Sequence, residues 1–232
     1  MSILRTIFRL KPEQNFVDGV FHQGKDCRIE NSSIRIGKKG KLVLGDGVEI
    51  RNYKIHIEEG EMIVGAHTIL EQANNALIPS LHIQKGLLRI GDHNVIRADF
   101  SIRFGGQCTI GRYNCINENT EIRCDEQLDI GDFNMISYEC MIYDTNSHVI
   151  YSPEKRREMT IRDFPSIGRE YEKPVSKPVS IGNDSWMGKR SVMLKGARLG
   201  NFATLGTNAV LTTAVPDNHM AYGNPAQVKP KQ

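Results

Sequence analysis

Apolar residues return at a spacing of six along most of this chain. Ile90, Ile96 and Ile102 are followed by Ile110, Ile116 and Ile122, then by Ile130, Ile136 and Ile142, each triplet starting 20 residues after the last. After a break the register resumes with Ile181, Met187 and Met193, and then Leu199, Leu205 and Leu211, now 18 residues apart. Towards the N-terminus, Leu44/Ile50/His56 and Val64/Leu70/Ala76 keep the same order, with a longer connection before Ile90. A helix has a period of 3.6 and cannot use such a pattern. Three short sides of six residues per turn can, so each triplet reads as one turn of a repeat structure with about eight turns. Gly after the apolar residue (Gly91, Gly111, Gly131, Gly182, Gly200) suits a crowded corner, and the recurring Asn94, Asn114 and Asn134 suit turn geometry. Stacked turns would pair through parallel ladders roughly 4.8 Å apart.

These residues resemble the hexapeptide-repeat acyltransferases, whose unit is [Leu/Ile/Val]-Gly-x-x-[small]-x. The resemblance covers roughly residues 30 to 228. It implies an all-β fold, a single-stranded left-handed parallel β-helix of triangular section; the hand comes from the resemblance alone, since the general preference of crossovers is right-handed. The chain then divides into an N-terminal helix or extension (1–23), the β-helix (24–228) and a short tail (229–232), with residues 143–178 projecting as a catalytic loop. Within 1–23, Ile3, Leu4, Ile7 and Phe8 share a helical face, with Arg5 and Arg9 off it. Packing on the first coil is the simpler reading of this segment; a weak membrane-surface contact through residues 2–10 is the sharper one.

Composition narrows the function. The 232 residues are 39% apolar and carry a net charge of +3, enough for a continuous core and too mild to argue for nucleic acid, no motif for which accompanies it. Cys27, Cys108, Cys115, Cys124 and Cys140 are odd in number and lie in no CxxC spacing, so they read as reduced thiols of a cytoplasmic protein.

Two further motifs sharpen the resemblance. IGNDSWMG (181–188) and GNPAQVK (223–229) are similar to the coenzyme A end of the xenobiotic, galactoside and saccharide O-acetyltransferases. Between Ser185 and Val215 stand Lys189, Arg190, Lys195 and Arg198 and no acidic residue, a balance that favours phosphates. Small residues at Gly188, Gly206 and Thr207 would leave backbone groups open to the pantetheine arm. Carried over by position, the resemblance implies donor contacts from Trp186, Gly188, Lys189, Gly206, Thr207 and Thr212, with Asn224, Pro225 and Gln227 near the adenine. Many relatives have Ser or Ala where this chain has Lys189.

The stretch YDTNSHVIYSPEKRR (143–157) ends the regular register at a histidine. A β-helix has flat sides and no cleft, so a projecting loop is where chemistry can be held. Acyl transfer to a hydroxyl needs a base that works near neutral pH, which histidine supplies. His148 matches the family's general base, with Asp144 and Asn146 as candidates to hold its tautomer. Asn117 and Asp125 match acceptor-contact positions of the galactoside enzymes, with turn roles as their plainer reading. The basic residues of the loop read first as a solvated surface.

The implied activity is acetyl-CoA-dependent O-acetylation of a saccharide, a precursor of capsule, lipopolysaccharide or another surface glycan, by a homotrimer with no metal. N-acylation of an amino sugar is an alternative. A metal lyase of the γ-type carbonic anhydrase kind is another, suggested by His67 and His93, each two residues after a glycine on successive coils and so expected to stack. Zinc needs a third ligand, and the equivalent position in the next coil is Tyr113.

Overall fold

The computed structural model describes residues 16–73 and 77–231. The chain winds as a parallel β-solenoid of about ten turns. One face is a ladder of short strands running from Arg28–Glu30 through Glu49–Arg51, Ile69–Glu71, Val95–Ile96, Cys115–Ile116, Met135–Ile136, Trp186–Met187 and Thr204–Leu205 to His219–Tyr222. Gln227–Pro230 closes it by pairing antiparallel to His219–Tyr222. Inward positions carry the hexad residues: Ile90, Ile96, Ile102, Ile110, Ile116, Ile122, Ile130, Ile136 and Ile142 are all buried. Each stacks on its counterpart one coil away, as Ile116 does on Ile96 and Ile136. The result is one continuous apolar column along the axis.

The other two faces are joined at the N-terminal end. Ser33–Leu44, Lys54–Val64 and Ser80–Ile90 are single long strands that turn a corner without interruption. The bend falls at Gly60 and Gly86, at φ of 137° and 144°, and a Cβ on Gly60 would lie 2.1 Å from the Gly86 carbonyl oxygen. Only glycine fits there. Further along, the corner opens and the long strands give way to separate ladders, one containing Asp99–Ile102, Glu121–Cys124 and Met141–Tyr143, the other Gly106–Ile110, Gln127–Ile130 and Val179–Ile181. The projecting segment is this same corner, enlarged between Tyr143 and Val179.

A second corner is lined by buried polar side chains. Asn94 Oδ1 accepts the Asn114 N–H at 2.9 Å, Asn114 Oδ1 accepts that of Asn134 at 2.8 Å, and Asn134 Oδ1 accepts that of Ser185 at 2.8 Å. The small or polar position of the hexad thus satisfies a backbone donor that the turn would otherwise leave buried and unpaired.

Several expectations need adjustment. Pairing starts earlier than residue 24, because Phe16–Val17 and Val20–Gln23 already pair with Ser33–Leu44. The tail is shorter, since Gln227–Pro230 is a strand. These terminal turns raise the count from eight to about ten; they lack the hexad signature and were invisible to it. His56 is not a core position: it faces outward between buried Ile55 and Ile57. The helix expected from Ile3 to Phe8 lies outside the described residues, and so does Ala76. Among the described residues no helix is long and apolar enough to cross a membrane.

Candidate active site

Two backbone pairs close the neck of the projecting segment. The Asn146 N–H donates to the Val175 carbonyl at 3.0 Å and the Lys177 N–H to that of Asp144 at 2.8 Å, with Thr145 and Ser176 bridged between them. Beyond the neck, residues Pro153–Asp163 form a helix that buries none of its residues. Its start is set by Ser152, whose hydroxyl accepts the Lys155 N–H at 3.3 Å, and by Pro153 in the first turn, where no N–H is required. Part of the projecting loop is therefore a capped helix, and its basic residues are solvated as expected.

Asp144 sits at the root of the neck, fully buried. Its carboxylate accepts the backbone N–H groups of Asp125 (2.8 Å), Glu126 (2.7 Å) and Gln127 (2.9 Å). Burial raises its pKa, against the backbone donors that favour the charged form. Its hydrogen bonds shape the corner of the preceding coil, and the carboxylate against His148 is a different one. Asn146 likewise serves the neck through its backbone.

The partner of the imidazole is Glu170, which the sequence reading missed. Its Oε1 lies against Nδ1 of His148 without the alignment of a hydrogen bond, and it has no hydrogen-bond partner. The other oxygen, Oε2, contacts Arg103 and accepts from Arg123 Nη2 at 2.9 Å. Arg103 in turn makes a two-pronged pair with Asp125, Nε to Oδ1 at 2.9 Å and Nη2 to Oδ2 at 2.6 Å. Arg123 also donates to the Ser147 carbonyl at 3.1 Å, next to the histidine. Burial weakens the Arg103 charge, but Asp125 and Glu170 outweigh it and raise its pKa further. The Glu170 side chain is 10% exposed and that of His148 68%, so a largely buried ionic cluster ends in an accessible imidazole.

His148 and Glu170 line a cavity of about 300 Å³ inside the projection, together with Tyr151, Arg156, Met159 and Arg169. Asp125, expected to meet an acceptor, is wholly buried and occupied by Arg103. Asn117 lies on another face, its amide accepting from Arg97 at 3.1 Å and donating to the Ile136 carbonyl at 3.1 Å. Both are engaged by arginines, Asp125 by Arg103 and Asn117 by Arg97. The signal for Glu170 was present as an acid inside the GREYEKPV stretch, but pairing it with His148 needed the fold of the projection.

The C-terminal coils bring most of the remaining candidates to one end. Trp186 is exposed and in register with Met135 and Thr204. Thr207, Thr212, Asn224, Pro225 and Gln227 are all exposed. Gly188 is different: it is buried, its N–H donates to the Leu205 carbonyl at 2.7 Å, and a Cβ there would lie 2.6 Å from the Thr207 nitrogen. It is a packing glycine and not an open edge. Gly206 is also bonded to its neighbour coil, through the Ala221 carbonyl at 2.7 Å. The run without acids is not free of acids in space, because Glu139 of the preceding coil pairs with Lys189 at 3.2 Å and with Arg190 at 2.5 Å.

His67 and His93 are neighbours, 5.2 Å between ring centres, but their planes are tilted by 41° and do not stack. The column continues through Tyr113 (4.8 Å) and Phe133 (5.0 Å), so two imidazoles pass into an aromatic ladder that supplies no third nitrogen.

No family model matches the chain. The chain is 28% identical over 183 residues to a galactoside O-acetyltransferase of Lactococcus lactis, covering 77% of this chain and 80% of that one. A shorter stretch of 54 residues is 41% identical to a probable acetyltransferase of Mycobacterium tuberculosis, 23% of this chain and 18% of that protein. Among solved structures, the polySia-specific acetyltransferase NeuO superposes with a TM-score of 0.52 at 18% identity over 94% of this chain and 87% of that one. The likeness to NeuO is one of fold, and the hand of the helix is left.

Proposed function

We propose that this member of the hexapeptide-repeat acyltransferases moves an acetyl group from acetyl-coenzyme A to a hydroxyl of a saccharide, with His148 as the general base. The observation that carries the reading is the buried Glu170, fixed by Arg103 and Arg123 and set against Nδ1 of the exposed His148. With Nδ1 turned to a carboxylate, Nε2 is left as the basic nitrogen, and the imidazolium formed during the reaction is stabilised by the same contact. Nε2 takes the proton of the acceptor hydroxyl as its oxygen attacks the thioester carbonyl. When the tetrahedral adduct collapses, that proton passes to the departing thiolate, so acid and base are one group. The relative from Lactococcus, a galactoside O-acetyltransferase matched along most of both chains, supports a sugar as acceptor. The cavity beside His148 falls in the size range of small-molecule sites and is the seat we assign to the sugar.

Acetyl-coenzyme A supplies an activated thioester. The chain offers the exposed Trp186, Thr207, Thr212, Asn224 and Gln227 at its C-terminal end, with Lys189 and Arg190 close by. Those side chains suit an amide-rich arm and phosphates, whereas Gly188 and Gly206 act by letting coils approach. A homotrimer follows from the same reading: exposed Met135 and Trp186 form an apolar strip that a second copy would cover, bringing its donor end to the loop of its neighbour. We place the enzyme in the cytoplasm, where acetyl-coenzyme A is made.

The test is an acetyl-transfer assay against galactosides, nucleotide sugars, amino sugars and oligosaccharides, paired with sedimentation. Transfer to a sugar hydroxyl by a trimer is expected. A folded protein that acetylates none of them, or that prefers amines, overturns the reading.

A further inference from the structure

Far from the loop, on the outer face of the N-terminal coils, three metal-ligating side chains converge for reasons of register alone. His56 and His82 are direct partners in the parallel pairing of Lys54–Val64 with Ser80–Ile90. In-register neighbours in a parallel pair place their side chains on the same face one strand spacing apart, and the two imidazoles stack accordingly, 4.9 Å between centres and 8° from parallel. Glu58 lies two residues after His56, so the strand's alternation returns it to that face. Its Oε1 is 2.8 Å from Nε2 of His82. One ligand atom from each of the three lies within 4.8 Å of the others, a grouping found nowhere else among the described residues.

We propose that His56, Glu58 and His82 form a binding site for one divalent late transition-metal ion, of the class Zn²⁺, Ni²⁺ or Cu²⁺. Ligands on a tetrahedral zinc at ~2.0–2.1 Å are roughly 3.3 Å apart, and a ring nitrogen binds in the plane of its ring, so the stack must open and at least one imidazole turn for both to meet one ion. They have room for it, because His56 and Glu58 are exposed. Glu58 already stands at the Nε2 edge of His82. Two imidazoles and a single carboxylate favour metals that prefer nitrogen, and offer little to Mg²⁺ or Ca²⁺, which need several oxygens. The cavity of about 580 Å³ that His56 and His82 line leaves space for water in the remaining coordination positions. Arg35, one coil earlier in the same row, and Lys54 line it too, so the ion must be held by its ligands and not by the general charge of the face.

The site would clip two successive coils at the point where the connection between their strands is long, from Glu71 to Ser80. An ion that binds only when both coils are in register stabilises the folded chain. None of the three residues belongs to the proposed catalytic machinery, so binding can be read without any transfer assay.

The experiment uses tag-free full-length protein, freed of metal by chelation and titrated with ZnCl₂ by calorimetry and with CuCl₂ by electron paramagnetic resonance. Wild type should bind one Zn²⁺ per chain, melt at a higher temperature with Zn²⁺, ignore Mg²⁺, and show coupling of Cu²⁺ to two imidazole nitrogens. His56→Gln and His82→Gln should each weaken Zn²⁺ binding by about tenfold or more, or ~1.4 kcal/mol per tenfold. The double variant His67→Gln/His93→Gln should leave the binding intact. Absence of stoichiometric Zn²⁺ binding in wild type, or equal binding in the folded His56 and His82 variants, would overturn the proposal.

Discussion

Glu170 lies against Nδ1 of His148 although the whole helix Pro153–Asp163 separates them in sequence. The carboxylate is held in that place by two arginines that belong to the coils and not to the loop, and under the proposed function it favours the proton on Nδ1. Replacing His148 with Ala should lower kcat by ~10²–10⁴-fold, or roughly 3–5 kcal/mol of barrier, with donor KM little changed. Glu170→Gln should cost less, again in kcat, and Glu170→Asp should recover part of it. Steady-state kinetics on folded variants decides: near-normal turnover in His148→Ala removes the base, and a Glu170 effect confined to melting temperature removes its positioning role.

The Arg103–Asp125 pair is a second point of attack. Asp125 is wholly buried and the Arg103 side chain 13% exposed, so Arg103→Ala would strand a carboxylate without its partner. Loss of one member of a buried pair typically costs about 3–5 kcal/mol. Denaturant melts should show a loss of that order, well beyond that of the surface change Lys39→Ala, although Lys39 also pairs with Glu59.

Gly188 offers a test of packing against binding. A Cβ there would lie 2.6 Å from the Thr207 nitrogen and 2.9 Å from its hydroxyl. Gly188→Ala should destabilise the chain by about 1–3 kcal/mol through overpacking, even without donor present. Unchanged stability with weakened coenzyme A binding would instead return this glycine to the donor site.

The cysteines give a chemical readout of the core. Cys108, Cys124 and Cys140 are buried within it, and burial pushes their thiols above the ordinary range. Since the thiolate is the reactive form, these three should resist alkylation in the native protein near pH 8. Mass spectrometry should find label first at Cys115 and more slowly at Cys27, which is partly exposed but whose thiol burial also raises, and at the other three only when denaturant is added.

The hexads made the solenoid legible because each apolar residue answers to one inward position, and the break at residue 143 located the projection. Sequence was less informative where the period is not set by burial. Phe16–Val17 and the closing strand Gln227–Pro230 pair without hexads, and the long strands turn at Gly60 and Gly86 instead of stopping. In the site, His148 could be found by its place. Asp144 and Asp125 were assigned to catalysis and acceptor binding, yet both are held by groups from neighbouring coils that no linear spacing displays. Lys189 and Arg190 looked unopposed for the same reason, with Glu139 waiting one coil away.

The neck formed by Asp144, Asn146, Val175 and Lys177 allows the ladders to run past the projection without losing a rung, since Glu121–Cys124 pairs onward with Met141–Tyr143 and Gln127–Ile130 with Val179–Ile181. The projection is therefore a cassette seated on a frame whose ladders do not depend on it, joined to them through the neck and through Glu170. Its helix and cavity can lengthen, shrink or be exchanged while the column of coils stays the same. Under the proposed function, rewriting this one insert would change which acceptor is received, provided that Glu170, or an acid in its place, still reaches back to Arg103 and Arg123.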